Sequence, residues 1–345
     1  MSRLAKHRAP DPQDEFATEV TLTRVAKMLT GLGYETVAEF DRLVISGHDY
    51  VATVWISFSA PLALVIDGQR RVPAPFEQAS TLAHFLDTWN HDRIAPTASY
   101  HMLDTGDLLI RLRSATFIKF GLTDDQLASA LTGALNSMNT FSTEYRVHFL
   151  ANDEDESLPE TIKRAQDTEA LRGPHPSTRH LPPDEELPVF GAPDPVEISG
   201  DEPLDEFEFS HVVEPLDQLD FRYSIADEDI VTTAVNGLGF ALCVDSDTFF
   251  RVTGVYPTTL DPTHDFLSVW LACNEHNEEA VFTTAYTRVE NDTLLLQVET
   301  ACDISQGMAL DQRSHFVVSS LVGILSGMDT VCLQACGYSI IDWPQ

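Results

Sequence analysis

The chain has 345 residues, 43 % of them hydrophobic and 22 % charged, a length that suits two folded units and a usage that suits a globular protein rather than a fibrous or disordered one. Its 54 acidic against 21 basic residues leave a net charge of −33; such a surface repels phosphate backbones and anionic lipid, so nucleic acid and membranes are excluded as expected partners. No unbroken apolar run approaches the roughly 18 to 20 residues of a membrane span, and residues 1–10 have no apolar segment of the kind that directs secretion. A cytoplasmic location is expected, with Cys243, Cys273, Cys302, Cys332 and Cys336 as reduced thiols.

The charge is unevenly spread. Residues 1–150 carry a net −4, 151–217 a net −15 together with ten of the 19 prolines, and 218–345 a net −14. The middle segment has too few core-forming residues to offset the entropy of ordering it. The division expected is a flexible tail over 1–16, a domain over 17–150, an acidic proline-rich linker over 151–217, and a second domain over 218–345.

In chain order, Leu22, Val25, Ala26, Leu29 and Leu32 recur at helical spacing and run into Gly31-Leu-Gly-Tyr34. Alternating segments at 43–45, 51–58 and 62–66 predict a three-stranded meander. Leu82, Phe85, Leu86 and Trp89 predict a second helix ending at Asn90, and Ala98-Ser99-Tyr100 with Leu108-Leu109-Ile110 a hairpin. Thr123-Asp-Asp-Gln126 is a capping box that opens a long helix with Leu127, Leu131, Leu135 and Met138 on its buried stripe.

A similar order follows the acidic segment. Ile230, Val231, Ala234, Val235 and Leu238 read as a helix closed by Gly237-Leu-Gly-Phe240; Phe266, Val269, Trp270 and Cys273 make a stripe before Asn274, with His276-Asn277 as a rival counterpart of Trp89-Asn90. Thr284-Ala285-Tyr286 and Leu294-Leu295-Leu296 form a hairpin, and Leu321, Gly323, Leu325, Met328 and Thr330 match Leu131, Gly133, Leu135, Met138 and Thr140 at one offset. Only 249–253 reads as a strand before them, so the second copy is expected to have a reduced sheet. The fold class is α+β, in two copies of a helix, antiparallel sheet, helix, hairpin, helix module.

The glycine-bounded turn at Gly31-Leu-Gly-Tyr34, Phe85-Leu-Asp-Thr-Trp-Asn90 and the hairpin through Asp104-Thr-Gly-Asp107 resemble the YbjN-like family of bacterial sensory transduction regulators. The resemblance covers about 17–150 well and 219–340 less well. It implies a fold similar to type III secretion chaperones and a non-catalytic, protein-binding role as regulator or chaperone, with no active-site residues to carry over. Since such chaperones pair as homodimers, it also implies that the two copies pack on each other as an intramolecular pseudo-dimer.

Candidate chemistry is sparse. Asp104-Thr105-Gly106 has the form of an aspartic-protease half-site, but its counterpart Glu290-Asn-Asp-Thr293 lacks the glycine, and a hairpin turn accounts for it. Gly237-Leu-Gly-Phe240 has the look of a carboxylate-binding loop and is better read as a helix end. Cys273-Asn-Glu-His276 and Cys332 with Cys336 have no zinc-knuckle spacing. No nucleotide-binding glycine motif or nucleophile elbow is present. No catalytic residue, cofactor or metal is therefore expected. The alternatives are an enzyme with its site between the copies, or a binder of a small molecule or metal. The residues expected to meet an unknown protein partner, or the acidic segment itself, are Arg70, Arg71, Arg111 and Arg113, with Phe190, Phe207 and Phe209 as apolar islands in the linker.

Overall fold

The computed structural model describes residues 17–59, 61–150, 204, 207–227 and 230–341. The first module opens with helix α1 (Leu22–Gly31), whose N-cap Thr21 accepts from the Arg24 N–H and whose Val25 and Leu29 are buried. It ends as the glycines predict: Gly33 takes φ +89°, and the Tyr34 N–H donates to the Leu29 carbonyl at 2.9 Å. Strands β1 (Thr36–Glu39), β2 (Arg42–Ser46), β3 (Tyr50–Ser57) and β4 (Ala63–Arg70) form an antiparallel meander. Helix α2 (Ala79–Asp92), the hairpin β5 (Thr97–Met102) and β6 (Leu108–Phe117), and helix α3 (Asp124–Phe149) complete it, with the six strands in the order β1-β2-β3-β4-β6-β5. The Thr123/Gln126 capping box is formed in full at the start of α3. Gly68 lets α3 sit close on the sheet, since a Cβ there would meet the Met138 sulfur at 2.9 Å.

The second module has helix α4 (Ser210–Gln218), strands β7 (Tyr223–Asp227), β8 (Ile230–Val235), β9 (Leu238–Asp245) and β10 (Phe249–Pro257), helix α5 (Phe266–Glu279), the hairpin β11 (Thr284–Glu290) and β12 (Thr293–Asp303), and helix α6 (Leu310–Cys336). Its six strands run β7-β8-β9-β10-β12-β11, the order of the first module. The expected reduction of the second sheet is therefore wrong. The segment read as a helix over 230–238 is the β8–β9 hairpin: Asn236 and Gly237 take φ +50° and +88°, the pair of left-handed residues that a two-residue turn needs. Its β-branched Ile-Val-Thr-Thr run suits a strand better than a helix.

The helix that does match α1 lies earlier, at Ser210–Gln218, almost wholly inside the segment expected to be linker. Val212 and Leu216 of α4 are buried as Val25 and Leu29 are. Asp220, at φ +55°, takes the place of Gly33, and the Phe221 N–H donates to Leu216 as Tyr34 does to Leu29. Phe207 and Phe209 pack against this same second core, Phe207 with its ring centroid 5.2 Å from that of Phe250. Phe190 and the rest of the acidic segment up to residue 206, residue 204 apart, lie outside the described residues.

The offset assigned to the last helix is also one turn out. Gln312 returns its side chain to the Ala309 N–H as Gln126 does to Thr123, and the close approach of Met138 to Gly68 recurs between Ile324 and Gly254. Both place the repeat four residues nearer than the leucine match, because shifting a helix by one turn returns the same face. Helix α6 is, by length and composition, long and apolar enough to cross a bilayer, with a mean hydropathy of 1.8 in its best window. Serines and glycines break its apolar runs, which hid this property from the sequence reading. Its buried residues, among them Phe316, Leu321, Ile324 and Met328, form the second core.

Candidate functional site at the module interface

The modules meet through α2 and α5 and the hairpins beside them, and the contacts come in reciprocal pairs. Asp87 of α2 accepts from the Thr287 N–H of β11 at 2.9 Å and from the Thr287 hydroxyl at 2.7 Å. In the mirrored position Asn274 of α5 accepts from the Tyr100 N–H of β5 and donates to the Tyr100 carbonyl, both at 2.9 Å. Gln126 donates to Gln312 and to the Gly307 carbonyl, while Gln312 donates to Gln126 and to the Gly121 carbonyl, at 2.9 to 3.2 Å. The Thr97 and Thr284 hydroxyls meet each other. A surface that contacts its own counterpart in this way has the form of a two-fold dimer interface.

Inside each module an asparagine holds the hairpin strand that faces the other. Asn90 accepts from the Ala98 N–H and donates to its carbonyl, and Asn277 does the same at Ala285. Asn277, rather than Asn274, is thus the counterpart of Asn90, and neither serves as a helix cap. Aromatic side chains cross between the modules. Trp270 of α5 is 2 % exposed within the first core and lies 5.2 Å from Tyr100, whereas Phe117 of β6 packs against the second, 5.1 Å from Phe282 and 5.7 Å from Phe316.

Two buried carboxylates here are paired with arginines. Arg113 donates to Asp67 at 2.6 Å with both side chains buried, and its other arm donates to the Ala280 carbonyl at 2.7 Å, where a cation meets the negative end of α5. Burial alone would raise the Asp67 carboxyl; Arg113 and the Trp55 N–H beside it hold it below the ordinary range. In the second module Glu299 lies 3.1 Å from the Arg251 guanidinium and accepts from the Tyr286 hydroxyl at 2.6 Å, yet burial still pushes its carboxyl up. Asp87 has no cation bonded to it, and burial raises it to about 6 against the opposing pull of its two Thr287 bonds.

The four arginines expected to receive an acidic partner are not one exposed patch. Arg113 is committed as described, and Arg71 donates to the Gly47 carbonyl and the Ser46 hydroxyl. Arg70 is 5 % exposed, its guanidinium 3.8 Å from the centre of the Tyr145 ring, while Arg111, near Asp67 and Glu278, has its pKa lowered by burial. Packing of Arg70 against α3, the bond of Arg113 to the end of α5 and the bonds of Arg71 to the β2–β3 turn took these three from the surface, which a strand sequence alone does not disclose. Asp104-Thr105-Gly106 is a turn, with Gly106 at φ +89° and the Thr105 hydroxyl donating to Asp107. Its counterpart does without glycine, since Asn291 and Asp292 both adopt positive φ. Cys273 is a buried member of the second core. Among the described residues no three His, Cys, Asp or Glu side chains gather as a metal ion would need. Sequence reasoning missed Asp87, Asn274, Gln126 and Gln312 as interface residues; the signal available was their matched places in the two repeats.

Residues 21–146 match the YbjN family model, described as "Putative bacterial sensory transduction regulator". The match covers the first module. Among solved structures, the crystal structure of YbjN from E. coli is matched at a TM-score of 0.34 and 14 % sequence identity, over 40 % of this chain and 99 % of that one. No curated protein matches the chain.

Proposed function

We propose that the chain is a non-catalytic, cytoplasmic, protein-binding regulator of chaperone-like type, in which a YbjN-like module and a diverged copy of it are joined by the acidic segment. The observation that carries this reading is the family match over 21–146; the shared strand order supports the second module as a copy. The buried ionisable groups Asp67, Arg113 and Glu299 are occupied in ion pairs within their own modules, and Arg113 also bonds across to the Ala280 carbonyl, which favours a binding scaffold over a reactive centre. The surface best suited to a partner is the end of the first sheet, where Phe40 and Phe58, each 86 % exposed, sit on the β1–β2 and β3–β4 turns.

The test is to isolate partners from bacterial cytoplasm on the full chain, rebuild the complex from purified components, and repeat it with Phe40→Ser, Phe58→Ser. A stoichiometric complex that the double variant weakens at least tenfold, with its melting temperature unchanged, is the expected result. Failure to rebuild any complex, together with chemical conversion of a copurified small molecule, would refute the reading.

A further inference from the structure

Between the modules lies a cavity of about 180 Å³, and its walls are unusual in being two open strand edges. Strand β5 pairs with β6 only from Leu108 to Arg113, so Ser114 to Phe117 have β4 on one side and nothing on the other. Likewise β11 stops at Glu299, and Thr300 to Asp303 pair with β10 alone. Leu108 exchanges its backbone bonds with Ala74 on the β4 side, and the Leu294 carbonyl accepts from Thr258 on the β10 side. Antiparallel alternation therefore turns the N–H and C=O groups of Ala115 and Phe117, and of Ala301 and Asp303, to the open edges, and all four residues line the cavity.

Two side-chain atoms in the same walls are buried with no hydrogen-bond partner, the Ser114 hydroxyl and His315 Nε2. Unmet polar groups of this kind cost free energy unless something bonds to them. Burial drives His315 down to about 4, so its ring is neutral at pH 7. The rings of Phe117, Phe282 and Phe316 supply the apolar part of the wall. The space arises where the repeats differ: Ala130 of α3 stands at the place that Phe316 fills in α6, and Gly133 near it has only open space beyond its Cα.

We propose that this cavity is a binding site for a small planar ring compound carrying both a hydrogen-bond donor and an acceptor on its rim, held between the β6 and β12 edges and so touching both modules. A dry cavity of similar size accepts benzene, which sets the ligand at roughly six to ten non-hydrogen atoms. The ring lies among the phenylalanines, and the rim completes the bonds that the strand edges, Ser114 and His315 leave open. Because the ligand contacts both modules, it strengthens their docking by mass action. This inference does not depend on the protein-binding reading.

Benzamide is a suitable probe, titrated into the full chain by calorimetry and followed by thermal melting. The expected result is one site per chain with a Kd of about 1 mM or tighter and a rise in melting temperature. Ala130→Phe, which installs the side chain of the other repeat, should weaken binding more than tenfold while the chain still melts cooperatively, and Ser114→Ala about threefold to tenfold. Should Ala130→Phe not fold, Gly133→Leu adds bulk at a second lining position where a Cβ meets nothing within 4 Å. No saturable uptake by the native chain, or uptake unchanged in the folded cavity-filling variant, would overturn the proposal.

Discussion

Asp87 and Asn274 do the same work from opposite sides of the interface, yet only one of them titrates. Burial holds the Asp87 carboxyl at about 6, above the roughly 3.9 of an unfolded chain. Between these values the folded protein binds the extra proton, so the contribution of this group to stability is full below about pH 4 and is lost as pH rises through 6. Asp87→Asn, which copies Asn274, should remove that slope and add on the order of 1–3 kcal/mol at pH 7. The difference between wild type and variant in urea unfolding at pH 4, 5, 6 and 7 isolates it from Glu299 and Glu278, which burial also raises. Arg113 is the opposite case, since Asp67 depends on it. Arg113→Leu should cost about 3–5 kcal/mol by stranding a buried carboxylate; a loss below 1 kcal/mol would mean the pair is solvated.

At the level of elements, the hairpins that face the other module are fixed by two asparagines rather than by packing alone. Replacing Asn277 by Ala leaves the Ala285 N–H and C=O without their partner, and a loss of about 1–3 kcal/mol is expected. Hydrogen exchange should quicken along β11 first, because that strand is the edge of its sheet. Much of the first module was legible: the α1 stripe, the capping box, the hairpin and three strands of the meander fall where spacing put them, while β1 (Thr36–Glu39), short and largely exposed, was missed. The second was misread where a sequence pattern had two solutions. Ile230 to Leu238 satisfies a helical face and an alternating hairpin alike, and the Asn236-Gly237 pair was the local clue that decides it. A helical repeat can be matched one turn out, as the last helix was; the Gln312 cap and the close approach of Ile324 to Gly254 fix the register.

Across the whole molecule, the reciprocal contacts predict that the halves need no covalent link to stay together. Limited proteolysis should cut first within 151–206, where acidic residues and prolines concentrate. The two fragments should then migrate as one species on gel filtration at neutral pH. Sedimentation of the uncut chain is expected to give a monomer, the second module occupying the face that a second copy would otherwise take. Fragments that separate, or a dimer that persists on dilution, would contradict this arrangement.

The sequence by itself determined that there are two α+β units with an acidic segment between them, because hydrophobic periodicity, capping residues and charge are local properties that survive without tertiary contacts. It did not determine what the arginines and the interface polar residues do. Asp87 and Gln312 become fixed points when a group from the other module meets them, and Arg113, already paired with Asp67 in its own module, keeps a second arm for the Ala280 carbonyl of the other. That complement lies about 165 to 200 residues away along the chain for each of them, and only the tertiary structure brings it within hydrogen-bond distance.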